Sequence, residues 1–117
     1  MIVRLFQPLF GLALAFALIM AILPQSTLSV APIHDKHLHA LVFMVLATLA
    51  LFSFPRTGLL RLFFGLSLFG AVIEFVQAIP SLGRDSDLFD WFSDLLGAGC
   101  IIVLAWLVRQ RKASLKT

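Results

Sequence analysis

Four runs of apolar residues, 5–23, 38–54, 62–79 and 88–108, make up most of the chain and dictate the solvent in which it folds. At 1.5 Å per helical residue each run reaches roughly 25 to 32 Å, close to the hydrocarbon thickness of a bilayer. With 61% of residues hydrophobic and 13% charged, too few polar groups remain to cover a water-soluble domain, which carries about 25% charged residues. The expected fold class is all-α: a polytopic membrane protein, a four-transmembrane-helix bundle forming one domain over residues 1–117.

Breaks between the runs carry the residues that end helices. Pro24 and Pro32 flank a polar segment, Pro55 stops the second run, and Arg56, Gly58 and Arg61 mark a turn. Pro80 closes the third run, 81–86 reads as a loop, and Ser86 or Asp87 is the expected N-cap of the fourth helix. The first run has an alternative reading as a cleaved signal peptide, with Arg4 as its basic start and Ser29-Val30-Ala31 as a small-residue cleavage site. Its apolar part is longer than such peptides carry. Ala13, Ala17 and Ala21 also form a stripe of small residues that lets a neighbouring helix approach, so a retained span is expected. Trp91 and Trp106 stand fifteen residues apart, about 22 Å along a helix, a spacing that suits two interfacial belts.

Four spans place Arg4, Arg56, Arg61, Arg109, Arg111, Lys112 and Lys116 on one side and only Lys36 and Arg84 on the other. The positive-inside rule then puts both termini in the cytoplasm. The basic residues are scattered and not interleaved with surface aromatics, so no nucleic-acid partner is expected. Membrane lipids are the expected surroundings. Cys100 is the single cysteine and sits in an apolar run, where it reads as a packing residue.

With that orientation the acidic residues and histidines gather at the outer face: His34, Asp35, His37, His39, Asp85, Asp87, Asp90 and Asp94, with Glu74 in the outer half of helix 3. Solvated loop positions account for His34, His37 and Asp85. Glu74 is different, because six residues before Pro80 puts it about 9 Å inside the helix end. An acidic group at the bilayer centre costs about 2.5–3.5 kcal/mol on insertion scales, less toward the interface, so Glu74 needs compensation. Gln77 shares its face. Either Glu74 knits the bundle by hydrogen bonding, or it belongs to a site.

Asp87, Asp90, Asp94 and Gly97 recur at i, i+3, i+7 and i+10, which puts three carboxylates and a glycine on one face of helix 4. The first two complement the helix dipole, and Gly97 with Ser93 suits close packing. Asp94 lies deeper and calls for an inward partner. Asp35-Lys36-x-x-His39 enters helix 2 with Asp35 and His39 on one face, either able to reach Glu74.

In this order the residues resemble the VanZ-like membrane proteins, a family named for a teicoplanin-resistance protein. The family pattern is D-K-x-x-H, then E-x-x-Q, then R-x-x-D-x-x-D-x-x-x-N-x-x-G. It falls here on Asp35, Lys36 and His39, on Glu74 and Gln77, and on Arg84, Asp87, Asp90, Asp94 and Gly97, within residues 35–106. Asp94 departs from it, standing where many members have Asn and adding a negative charge. The resemblance implies a compact multi-helix protein of the bacterial cytoplasmic membrane with a link to the cell envelope; teicoplanin resistance belongs to some members and is not carried over by the motif alone. The resemblance brings no established reaction.

Four functions are compatible with these residues. A polar outer-face pocket can bind an envelope lipid, a glycopeptide or a membrane partner, with Lys36 and Arg84 available to an anionic group. A membrane-embedded hydrolase or transferase would use the carboxylates and a histidine as acid and base, or let His39, Glu74 and the aspartates hold a divalent metal. H-E-x-x-H, a nucleophile elbow and a phosphate loop are all missing, so no metal and no cofactor is assigned. A proton relay through Glu74 and His39 would need an oligomer to form a pore. A purely structural accessory subunit would use the same network to set helix packing.

Overall fold

The structure, a computed structural model, describes residues 2–22, 35–79 and 88–115, the side chains of Ile2 and of 35–38 excepted. The described residues form four helices, α1 (Ile2–Ile22), α2 (Asp35–Ser53), α3 (Leu59–Gln77) and α4 (Leu88–Leu115), and no strand. The expectations for the segments 24–34 and 80–87, including the N-cap of α4, fall outside the described residues.

Apolar side chains face both ways in this bundle. Inside, Phe43, Leu46 and Ala47 of α2 meet Leu66 and Ile73 of α3, Ala98 of α4 and Ala21 of α1. Ala50, Leu62 and Ile102 form a second cluster, one residue from each of α2, α3 and α4. Outside, Leu5, Leu12, Phe16, Leu60, Phe64, Leu68, Phe75 and Leu96 are each more than 60% exposed. So large an apolar exterior is unfavourable in water and favourable in lipid. Val3–Ile22, with only 6% of its apolar window buried, α3 and α4 are each long and apolar enough to cross a membrane.

α2 has the same 19 residues as α3, about 28 Å of helix, and among its described side chains the apolar portion is His39–Ser53. It is the inner element, packed along α4 and α1, whereas α3 rests mainly on α4.

The ends of the elements differ from the apolar runs. α4 continues to Leu115 through Arg109, Arg111 and Lys112, because Arg, Lys, Gln and Ala sustain a helix in water and cations suit its C-terminus. Between α2 and α3 the turn is tighter than expected. The Phe54 N–H donates to the Ala50 carbonyl at 2.9 Å and the Thr57 N–H to the Phe54 carbonyl at 3.1 Å, so Gly58 already caps α3 and Arg61 lies inside it.

α1 runs unbroken through Pro8, whose ring removes one backbone donor, a loss that membrane helices tolerate when neighbours supply partners. Beside it, Gln7 Nε2 donates to the Ser53 carbonyl at 3.2 Å. At the other end of α1, Gln77 Nε2 donates to the Ala21 carbonyl at 3.4 Å. Two amides thus tether a helix that buries little, and its Ala13–Ala17–Ala21 stripe faces the bundle as its spacing predicts.

Candidate functional site

The chain order α1–α2–α3–α4 brings the start of α2, the end of α3 and the start of α4 to one end of the bundle. His39 is the fifth residue of α2, Glu74 lies one turn before the end of α3, and Asp94 is the seventh residue of α4. Asp94 therefore sits about 9 Å along the helix from Leu88. These three come together. One ligand-type atom from each of His39, Glu74 and Asp94 lies within 4.8 Å of one from each of the others.

Asp94 is fully buried, and its Oδ1 is 2.8 Å from His39 Nδ1. With a proton on Nδ1, the imidazole donates to the carboxylate. The second oxygen, Oδ2, is buried and has no hydrogen-bond partner among the described residues. Glu74 and Asp90 are each 8% exposed. Both lie close enough to act electrostatically on His39, and Asp90 also acts on Asp94. The region is acidic and screened from water. Burying an ion in such surroundings costs several kcal/mol after relaxation, so the group must carry internal compensation.

Glycines let the helices come close enough for this contact. A Cβ on Gly97 would overlap the backbone of Ala40, the residue after His39, lying 2.9 Å from its carbonyl carbon and nearer still to the oxygen. Only a hydrogen fits between α2 and α4 there. Gly70, one turn before Glu74 on α3, plays a similar part: a Cβ on it would stand 3.0 Å from Asp94 Oδ2 and 3.3 Å from both Phe43 and Trp91. Trp91 then fixes α4 against α3, its indole N–H donating to the Ser67 carbonyl at 3.1 Å.

Of the residues expected at the site, His39, Glu74, Asp90 and Asp94 assemble at this end, and Gly97 makes the close approach. Gln77 is buried nearby, and its amide serves the tether to Ala21. Asp35 and Lys36 lie in the first turn of α2 with side chains outside the described residues, and Arg84 and Asp87 fall in the undescribed segment. Sequence reasoning passed over Gly70, Ser67 and the indole of Trp91 as an interhelical donor, having placed Trp91 at an interface. The available signal was the Gly70-x-x-x-Glu74 spacing, a small residue one turn from an intramembrane carboxylate.

A sizeable groove among the described residues lies elsewhere. An apolar groove of about 460 Å³, lined by Phe10, Leu14, Phe54, Leu62, Phe69 and Val72, lies between α1 and α3 and holds none of the acidic cluster. Its lining is apolar apart from Arg61 and suits lipid chains. Compared with protein-family models, characterised proteins and solved structures, the chain finds no match in any of the three.

Proposed function

We propose that this chain is a VanZ-like binding protein of the bacterial cytoplasmic membrane, with four spans and both termini in the cytoplasm. Its polar cluster at the outer end of the bundle receives the polar part of an envelope lipid, a glycopeptide or a membrane partner. The observation that carries this reading is the gathering of a partly buried His39 with buried Glu74, Asp90 and Asp94, from three helices, at one end of an otherwise apolar bundle. Such a cost in buried charge is met most often where polar groups serve a ligand. Lys36 and Arg84, adjoining the cluster in sequence, supply the cations for a phosphate or carboxylate on that ligand.

Binding of headgroup-labelled envelope lipids to the purified protein tests it. Arg84→Ala and Lys36→Ala are expected to weaken binding roughly tenfold or more each, as loss of a charge-assisted hydrogen bond of about 1.5–3 kcal/mol predicts. Equal binding by all three proteins removes those roles. Teicoplanin susceptibility of cells with and without the protein is the cellular counterpart, and unchanged susceptibility dissociates it from glycopeptide resistance. The orientation has its own check: a C-terminal reporter that works only outside the cytoplasm should stay inactive, and strong activity reverses the topology.

A structural accessory role is the second reading, favoured by the His39–Asp94 and Gln77–Ala21 contacts, which join helices directly. A chain with that role alone loses stability on mutation of the cluster, and no activity separable from it.

A further inference from the structure

We propose that His39, Glu74 and Asp94 form a binding site for one divalent transition-metal ion, of which zinc is the best match. The inference is independent of the ligand-binding reading above. Its donors come one each from α2, α3 and α4, and none of the short motifs for metal ligation is present.

Three features support it. One donor atom from each of the three side chains lies within 4.8 Å of the others, and donors held at about 2.0–2.2 Å from zinc stand at most about 4.4 Å apart. Side-chain torsions can supply that closure. Asp94 Oδ2 is a fully buried carboxylate oxygen with no hydrogen-bond partner among the described residues, directed to the helix junction where Gly70 leaves it room. The donor set itself is one imidazole with two carboxylates, which matches zinc and manganese, whereas calcium and magnesium favour oxygen alone. Three protein ligands around zinc leave a fourth position open.

On binding, His39 Nδ1 gives up its proton to solvent, the contact to Asp94 Oδ1 is replaced by bonds from both residues to the metal, and Glu74 completes the set. Trp91 and Phe43, which line the junction beside Gly70, shield it from water.

The test uses the full chain without a histidine tag, purified in detergent, stripped with chelator, reloaded with Zn²⁺ and passed through a desalting column. The expected result is about one zinc retained per chain and a higher unfolding temperature with zinc than with chelator. Glu74→Gln and Asp94→Asn, checked for helicity by circular dichroism, should lose that retention and the temperature shift. Substoichiometric zinc in the wild type overturns the site, leaving Lys36 or Arg84 as the source of counter-charge. Equal retention by wild type and both variants overturns it as well. Should the variants not fold, X-ray absorption of zinc-loaded wild type decides: one imidazole with oxygen ligands supports the assignment. Two or more imidazoles, or a sulfur, places the ion at His34, His37 or Cys100 and rejects it.

Discussion

Gly97→Ala is expected to destabilise the bundle by about 3 kcal/mol or more, the upper end of the cost of overpacking a filled interior. One methyl group does this because its obstacle is the Ala40 backbone, at 2.9 Å from the carbonyl carbon and 3.0 Å from Cα, and no rotamer moves a main chain aside. Relief requires α2 and α4 to separate along their most extensive interface. Separation there also draws His39 from Asp94, one turn before Gly97. Denaturation in detergent micelles, followed by circular dichroism, measures the loss. Gly65→Ala is the control, since nothing lies within 4 Å of its added Cβ, and better helix propensity should raise stability there by about 0.5–1 kcal/mol. Wild-type stability in Gly97→Ala would mean that the two helices are not in contact at this point.

The second large effect concerns the His39–Asp94 pair. His39→Leu alone leaves Asp94, fully buried, with neither oxygen paired to the imidazole, and loss of one partner of a buried pair costs about 3–5 kcal/mol. Asp94→Leu alone costs less, because His39 is partly exposed and keeps Glu74 beside it. The double substitution removes both requirements and should recover most of the loss, because apolar replacements of buried pairs are often neutral or stabilising. The double-mutant cycle therefore predicts a coupling of more than about 2 kcal/mol. Additive losses would show that the two side chains act separately. Metal should be withheld with chelator throughout, so that pairing alone is measured.

Much of this architecture was legible beforehand, and the failures share one origin. Helices long enough to cross lipid announce themselves through unbroken apolar stretches, as 5–23, 62–79 and 88–108 did, since the bilayer imposes a length. The same criterion placed the end of α4 at residue 108, because the limit of apolarity marks the lipid boundary and helical hydrogen bonding continues past it. Among the polar residues, Glu74 and Asp94 stood out through cost alone: a carboxylate within an apolar stretch requires a partner. Which partner was beyond reach, since the choice of His39 for Asp94 depends on Gly97 letting two backbones touch. Gly70 went unnoticed for the same reason. A glycine in a membrane helix is common, so its spacing to Glu74 is a weak signal until its neighbours on other helices are known.

α4 carries both Asp94 and, fifteen residues later, Arg109, which makes it a ruler of about 22 Å between the acidic cluster and the first guanidinium of its basic end. With that guanidinium held at one headgroup layer, a hydrocarbon core of about 30 Å leaves Asp94 roughly 8 Å beneath the opposite surface. In the proposed topology, bilayer thickness would set how readily ions and headgroups reach the carboxylates. Long-chain lipids are expected to sink them and short-chain lipids to lift them toward water, so that lipid composition would tune access without any residue changing place.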